Sequence, residues 1–343
     1  MDRVRVSILG GATGLVGGQW MIKLLANHPF IEIVGLSASP GKVGRKYGDV
    51  VHWFIPGDIP EYVKDMALVS TDPADHKAAD VVLSALPNDV AWPTESKLAN
   101  AGLNVVSNAS PPERMNPRIP LINPEVNWEH LNILRDLKGN WMVKNPNCTA
   151  AIISMPPLKP IQDLIGTLHI VTLQSVSGAG YLGLSYLAID GNVIPFIKGE
   201  EEKIDIEINK MLGKQLVDHY DPWGKPIYVT ATRVPVKYGH TAVIHAILNR
   251  NADANQVIER LRRFKSLPQE KELPTAPREP IKVLDRVDAP QPARDLDPMA
   301  VSVGRVTIRD NVLRLVVIGD NLVRGAAGIT ILTIETMKTL GIL

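Results

Sequence analysis

The chain carries a single cysteine, Cys148, in the run Lys144-Asn145-Pro146-Asn147-Cys148-Thr149-Ala150-Ala151-Ile152-Ile153. Asn and Pro predict a turn, and the apolar run that follows predicts a buried helix. A cysteine at a helix N-terminus is expected to have a lowered pKa, because the dipole favours the thiolate. The same N–H groups could stabilise an oxyanion on an attacked carbonyl. A buried, inert core cysteine fits the position equally well, since free cysteines are often core residues. Downstream, Arg233 and His240 stand seven apart around a predicted turn at Tyr238-Gly239. Arginine offers a planar fork to a carboxylate, and histidine suits proton transfer near neutral pH. Glu200-Glu201-Glu202-Lys203 opens a polar helix, with Glu200 and Lys203 on one face. On its own that is a solvated, dipole-favoured helix start.

A second constellation lies at the N-terminus. Gly11-Ala12-Thr13-Gly14-Leu15-Val16-Gly17 follows a strand at Val4 to Leu9 and opens a helix at Leu15 to Leu25. Glycines in that context permit a tight turn and close approach of a pyrophosphate to free helix N–H groups. The second strand, Ile31 to Leu36, ends in Ser37-Ala38-Ser39-Pro40 and not in an acid. Ser39, with Lys42 and Arg45 nearby, would accommodate a ribose 2′-phosphate, which favours NADP over NAD. Read blandly, the two cations are solvated loop charges. A nicotinamide cofactor beside a nucleophilic cysteine suggests oxidation of a thiol–aldehyde adduct to a thioester, or the reverse.

These residues need a scaffold. Strands at 80–86 and 103–107 continue the β-α-β alternation, which predicts an N-terminal Rossmann-like parallel sheet in an α/β protein. After Cys148 the apolar runs lengthen: Leu168 to Leu173, Ile227 to Val236, Thr241 to Leu248 and Val312 to Ile318. They predict a second, α+β domain for catalysis and dimerisation. The boundary is placed at 147/148, the second domain extends to residue 325, and a terminal helix from 326 onward returns to the first. A proline-bearing stretch from Leu267 to Pro298 is unsuited to a central strand and should wrap a surface or interface.

The chain has 343 residues, long enough for two domains. Lys plus Arg is 37 against 36 for Asp plus Glu, so the formal charge is +1 and a global footprint for nucleic acid is absent. One cysteine excludes a disulfide framework and a Cys-cluster zinc site; no metal is expected. No run is long enough to span a bilayer and no secretory leader is apparent, so a cytoplasmic location is expected.

Taken in order, the motifs resemble the aspartate-semialdehyde dehydrogenase family, in its archaeal and fungal branch. The segments are GATGLVG at 11–17, ALPN at 85–88, SNAS at 107–110, NPNCTA at 145–150, QSVSGAGY at 174–181, GNVIPFIKGEEEK at 191–203, RVPVKYGHT at 233–241, LPTAP at 273–277 and DNLVRGAAG at 320–328. The resemblance implies NADPH-dependent reduction of L-4-aspartyl phosphate to L-aspartate 4-semialdehyde, with release of phosphate. That reaction serves synthesis of lysine, threonine, methionine and isoleucine. It implies Cys148 as nucleophile, His240 as acid–base and Gln174 as substrate-orienting residue. Arg233 would bind the α-carboxylate and Glu200 the α-amino group, with Asn147 close by. Lys203 and Arg114 would take the phosphate. The cofactor would meet Gly11, Thr13, Gly14, Leu15, Val16, Ser37, Ser39, Lys42, Ser84 and Leu86, and on its nicotinamide side Ser177, Gly178, Gly180 and Asn321. A homodimer or homotetramer is implied, and a small-molecule substrate, with neither nucleic acid nor membrane as partner.

Two departures stand out. The arginine segment Ser110-Pro111-Pro112-Glu113-Arg114-Met115 has an extra residue and an acid relative to the usual Ser-x-x-Arg-Met. The loop SASPGKVGRKYG lacks the early arginine that relatives often carry. The nearest alternative is malonyl-CoA reductase, whose cysteine turn usually lacks Asn-Pro-Asn. N-acetylglutamyl-phosphate reductase typically has glycine before its cysteine. A catalytically dead nucleotide sensor would show a broken constellation, whereas Cys148, Gln174, Arg233 and His240 are all present.

Overall fold

The computed structural model describes residues 3–10, 14–137, 139–180 and 183–343. Gly11 and Thr13 of the glycine loop lie outside the described residues. Five short parallel strands form the N-terminal sheet: β1 (Val4–Leu9), β2 (Ile31–Leu36), β3 (Val81–Ser84), β4 (Val105–Ser107) and β5 (Met142–Lys144), in the order β2-β1-β3-β4-β5. Their side chains are almost wholly buried, as a sheet covered on both faces requires. The segment after the glycine loop is a wide π-helical stretch, Val16–Met21, that runs into the α-helix Ile22–Leu25.

The second sheet is mixed. Its strands are β6 (Ile165–Gln174), β9 (Ile227–Arg233), β10 (His240–Leu248), β11 (Ile281–Val283), β12 (Val301–Arg309) and β13 (Val312–Gly319), in the order β11-β12-β13-β10-β6-β9. A small hairpin, β7 (Lys214–Gln215) and β8 (Tyr220–Asp221), stands apart. One face of the large sheet is packed: Leu168, Ile170, Ala242, Ile244, Leu313 and Leu315 join one core with the helix Thr149–Leu158, whose ten residues are all buried. The other face leaves Val171, Tyr228 and Ile247 exposed. The proline-bearing stretch contributes β11, an edge strand entered directly from Pro280, which is where proline is tolerated in a sheet. The terminal helix Gly328–Thr339 is buried nearly all round, and Ile331, Ile334 and Met337 share a core with Val6, Ile8 and Leu36 of the first sheet. Among the described residues no helix is long and apolar enough to cross a membrane.

Strand direction places the chemistry. β6 and β9 run parallel and end side by side on Gln174 and Arg233, which are register partners. β10 runs antiparallel and therefore starts at that same end, with His240. β13 ends there too, opposite His240 at Gly319, and leads into Asn321. The C-terminal ends of the first sheet face this edge, and ligands of parallel α/β sheets bind at such ends.

Candidate active site

A cavity of about 420 Å³ lies where the two sheets meet. Leu15, Val16, Ala85 and Leu86 line it from the first sheet. Gln174, Arg233, His240 and Asn321 line it from the second. Asn147, Ser177, Gly178, Gly180, Glu200 and Lys203 complete the wall. The elements that were read separately from sequence thus converge on one space.

The cysteine turn is held by its asparagines. Asn145 Nδ2 donates to the Ile122 carbonyl at 2.9 Å and to Thr333 Oγ1 at 2.8 Å, which ties the turn to the terminal helix. Asn147 Nδ2 donates to the Asn108 carbonyl at 2.9 Å. Lys144 just before them is buried and paired with Glu95, and its Nζ donates to Ser107 Oγ at 2.9 Å. Gly325 lies so close to Thr149 that a Cβ there would overlap the threonine side chain. Cys148 then caps the helix Thr149–Leu158 and is fully buried. It lies behind the cavity wall formed by its neighbours Asn147 and Thr149.

Two expectations for this turn are corrected. The thiol pKa is not lowered by the helix: burial pushes it well up, and the carboxylates of Glu200 and Glu207 push it further, against one favourable N–H from Ala151. Nor is the Cys148 amide free to hold an oxyanion, because it donates to Glu207 Oε2 at 3.3 Å. Glu207 also accepts from the Asn147 amide at 3.4 Å. This carboxylate, unassigned from sequence, lies seven residues past Glu200 on the helix Glu200–Met211, a spacing that shares one face.

Arg114 also departs from its expected place. It does not line the cavity. Its Nε donates to Glu207 Oε1 at 3.1 Å and its Nη1 to the Ser110 carbonyl at 3.2 Å, with the side chain almost wholly buried. The extra residue in its segment is accommodated by a short helical turn, Pro112–Met115, which directs the guanidinium to the cysteine turn. Glu113 and Arg114 therefore play different parts from a shared phosphate site. Lys203 faces the cavity, as does Lys198, which the sequence reading did not single out.

On the opposite wall Gln174 is buried beside Thr172, to whose Oγ1 its Nε2 donates at 3.3 Å. Arg233 Nη1 donates to the Ser175 carbonyl at 2.7 Å. Burial lowers the Arg233 pKa, opposed by the neighbouring Glu200 and Cys148. His240 is fully enclosed; desolvation, aided by Arg233, lowers its pKa to about 3, so its ring is neutral at pH 7. A Cβ on Gly178 would come within 2.9 Å of Arg233 Nη1 and 3.0 Å of His240 Nε2. Only glycine lets the backbone lie against both groups.

The residues at the first sheet fit a dinucleotide. Gly10 has a positive φ of 68°, a conformation that favours glycine, and its N–H donates to Ser37 Oγ at 3.2 Å. Ser37 is thus engaged in shaping the loop. A Cβ on Gly17 would meet the Ala85 side chain at 2.9 Å, and Gly14 follows the loop directly. Ser84, at the end of β3, has a buried hydroxyl with no protein partner, which suits an incoming polar group. Ser39 and Lys42 stand outside the cavity on the loop after β2. Among the described residues no group of three or more His, Cys, Asp or Glu could hold a metal.

A parallel nucleotide-type sheet with a glycine turn, joined through the cysteine turn to a mixed sheet carrying histidine and arginine, defines the class of dinucleotide-dependent dehydrogenases. Two family models match: "Semialdehyde dehydrogenase, NAD binding domain" over residues 5–134, and "Semialdehyde dehydrogenase, dimerisation domain" over 158–324. The aspartate-semialdehyde dehydrogenase of Archaeoglobus fulgidus is 41% identical, covering 98% of each chain. The malonyl CoA reductase (NADP) of Metallosphaera sedula is 36% identical over 99% of each. The crystal structure of the Candida albicans aspartate semialdehyde dehydrogenase with NADP superposes with a TM-score of 0.91 at 33% identity, covering 99% of this chain and 100% of that one. The chain belongs to the semialdehyde dehydrogenase family.

Proposed function

We propose that the chain is an aspartate-semialdehyde dehydrogenase that reduces L-4-aspartyl phosphate to L-aspartate 4-semialdehyde with NADPH and releases phosphate. The observation that carries this reading is the cavity itself. A carboxylate, Glu200, and a guanidinium, Arg233, face one space beside the cysteine turn, and they complement the ammonium and carboxylate of an amino acid.

Cys148 is the nucleophile. His240 Nε2 accepts the thiol proton as the sulfur bonds to the acyl carbon and the carbon–oxygen bond to phosphate breaks, leaving a thioester, while the departing phosphate takes a proton from solvent. NADPH, when bound, supplies the hydride that takes the thioester to the aldehyde level. The imidazolium so formed faces the oxygen of the tetrahedral adduct and returns its proton to the sulfur as the carbon–sulfur bond breaks. Arg233 binds the α-carboxylate and Glu200 the α-ammonium, Gln174 and Asn147 orient the acyl group, and Lys203 with Lys198 receives the phosphate. The nucleotide is held by Gly11, Thr13 and Gly14, with Leu15, Val16, Leu86 and Ser84 at its side. Ser37, Ser39 and Lys42 flank the ribose. Ser177, Gly178, Gly180 and Asn321 flank the nicotinamide. The absence of an acid at the end of β2 favours NADP.

The molecule is read as a homodimer or a dimer of dimers in the cytoplasm. The exposed face of the mixed sheet, with Val171, Tyr228 and Ile247, supplies the contact. Residues 1–147 and 148–325 form the two domains, with the terminal helix returned to the first. The test follows NADP reduction with aspartate semialdehyde and phosphate, and NADPH oxidation with malonyl-CoA, in one preparation. Phosphate-dependent turnover with the semialdehyde is expected, and loss of it in Cys148→Ala with NADP binding retained. Turnover with malonyl-CoA alone, or substantial activity in the variant, overturns the reading.

A further inference from the structure

The Nδ1 side of the His240 ring meets a cluster of small polar groups, one of which, Ser175, has no part in the reaction described above. Ser175 Oγ lies 3.0 Å from His240 Nδ1. The same hydroxyl lies 3.1 Å from Asn321 Oδ1. Asn321 Oδ1 also accepts the Gly239 amide at 3.0 Å and the Ser177 hydroxyl at 3.2 Å. Asn321 Nδ2 donates to Ser177 Oγ at 2.9 Å. Ser177 Oγ is a second neighbour of the Ser175 hydroxyl, at 3.1 Å, but it is itself a donor to Asn321, and Asn321 Oδ1, which can only accept, takes the Ser175 hydrogen. What Ser175 Oγ then offers the ring is a lone pair.

We propose that Ser175 and Asn321 are positioning residues that fix the neutral His240 ring with its proton on Nδ1. The Nε2 lone pair is then left facing the cavity beside Gly178. The Ser175 backbone amide competes for the same nitrogen, at 3.3 Å, and favours the opposite tautomer. Ser175 therefore presents two groups of opposite demand to one ring nitrogen, and the hydroxyl prevails because Asn321 takes its proton. The carboxamide oxygen of Asn321 is thereby occupied by protein donors, so Asn321 serves the histidine as much as the cofactor wall. Ser177 shares the carboxamide and holds it in place. Arg233 on β9 is a charged neighbour of the ring and discourages a doubly protonated imidazolium without choosing between tautomers, while a backbone hydrogen bond with Gly239 works the other way.

The inference rests on the reading of His240 as the proton-transfer group, and it makes a distinct demand on the resting enzyme. Removing the Ser175 hydroxyl leaves only the amide donor, so the tautomer should invert and the Nε2 lone pair should be lost from the cavity. The experiment is 15N NMR of the histidine-labelled full-length enzyme, with His240 assigned by difference from a His240→Gln sample. Wild type should show a protonated Nδ1 and an unprotonated Nε2. Ser175→Ala should show the reverse, with kcat falling by about 10²-fold, the lower end of what a positioned proton-transfer group contributes. KM should change less than about 3-fold, and Ser175→Thr should restore both tautomer and rate. A wild-type ring protonated on Nε2 overturns the proposal even if no variant folds. So does a Ser175→Ala ring that keeps its proton on Nδ1, whatever its rate, or an inverted ring with undiminished kcat. Failure of the function itself would register separately, as loss of phosphate-dependent turnover in wild type.

Discussion

The two halves of the helix Glu200–Met211 carry the same chemistry to opposite ends. Glu200, Lys203, Glu207 and Lys210 recur at intervals of three, four and three, so they lie along one face. In the first half, Glu200 and Lys203 border the cavity and keep their charges open to it. In the second half, Glu207 and Lys210 are buried and satisfied. Glu207 takes Arg114 and two amides of the cysteine turn. Lys210 Nζ donates to the carbonyls of Arg114, Asn116 and Ile119 at 2.9, 3.2 and 3.0 Å. Burial lowers the Lys210 pKa to about 7. The lesson is one of solvation. A charge at a cavity wall can meet a substrate group, whereas a charge removed from water must be matched by the fold itself.

The comparison is broken most severely at Glu207. Glu207→Ala leaves the Arg114 guanidinium buried without its carboxylate and two amides of the cysteine turn without an acceptor. Breaking a buried pair in this way costs about 3–5 kcal/mol, to be read from urea unfolding. Arg114→Met in the same background should recover part of that loss, because the orphaned charge is then gone. An unchanged midpoint in Glu207→Ala would mean that the pair is not a structural device.

Glu200→Ala should leave stability nearly unchanged, since the residue borders the cavity. Its effect falls on the amino-bearing substrate: KM should rise by about 10–100-fold, the worth of a hydrogen bond to a charged group of about 1.5–3 kcal/mol. Any turnover of malonyl-CoA, which has no ammonium, should change far less. Equal effects on both would remove Glu200 from substrate recognition and make the two halves of the helix alike.

Much of this was legible before any coordinates. The alternation of His240 to Leu248 is seen in β10, whose inward residues are buried and whose Ile247 is exposed. The cysteine at a helix mouth, the turn around Tyr238-Gly239 and the glycine loop each have local signatures. Arg114 was misplaced because a guanidinium's target depends on the path of its loop, and one inserted residue re-aims it. Glu207 was missed because an acid inside a charged helix looks solvated until the packing partner is known. Ser175 was overlooked for a similar reason, as a hydroxyl gains meaning only from the ring and carboxamide it touches, and those come from distant strands. The thiol was misjudged because the helix dipole is a local effect, while burial and two carboxylates are tertiary ones.

The last and smallest effect concerns that thiol. Glu200 and Glu207 both oppose ionisation of Cys148, although one is open to the cavity and the other is sealed. A carboxylate near a thiol disfavours the thiolate, so neutralising it should lower the thiol pKa. Glu200→Gln should therefore increase the rate of alkylation by iodoacetamide at pH 8, by about 10-fold for each unit of pKa removed. The sign runs opposite to the variant's effect on KM. In wild type the alkylation rate should climb with pH beyond the range of an ordinary thiol, and the Glu200→Gln curve should be displaced to lower pH. If Glu200 pairs with the substrate ammonium as proposed, that ammonium would do the same work as the substitution by cancelling the carboxylate charge. Binding of the correct amino acid would then lower the barrier to forming its own nucleophile. A non-reacting amino acid that occupies this site should reproduce the displacement as far as it leaves the sulfur accessible. A Glu200→Gln profile that coincides with wild type, or shifts to higher pH, would break the link between the open charge and the sulfur.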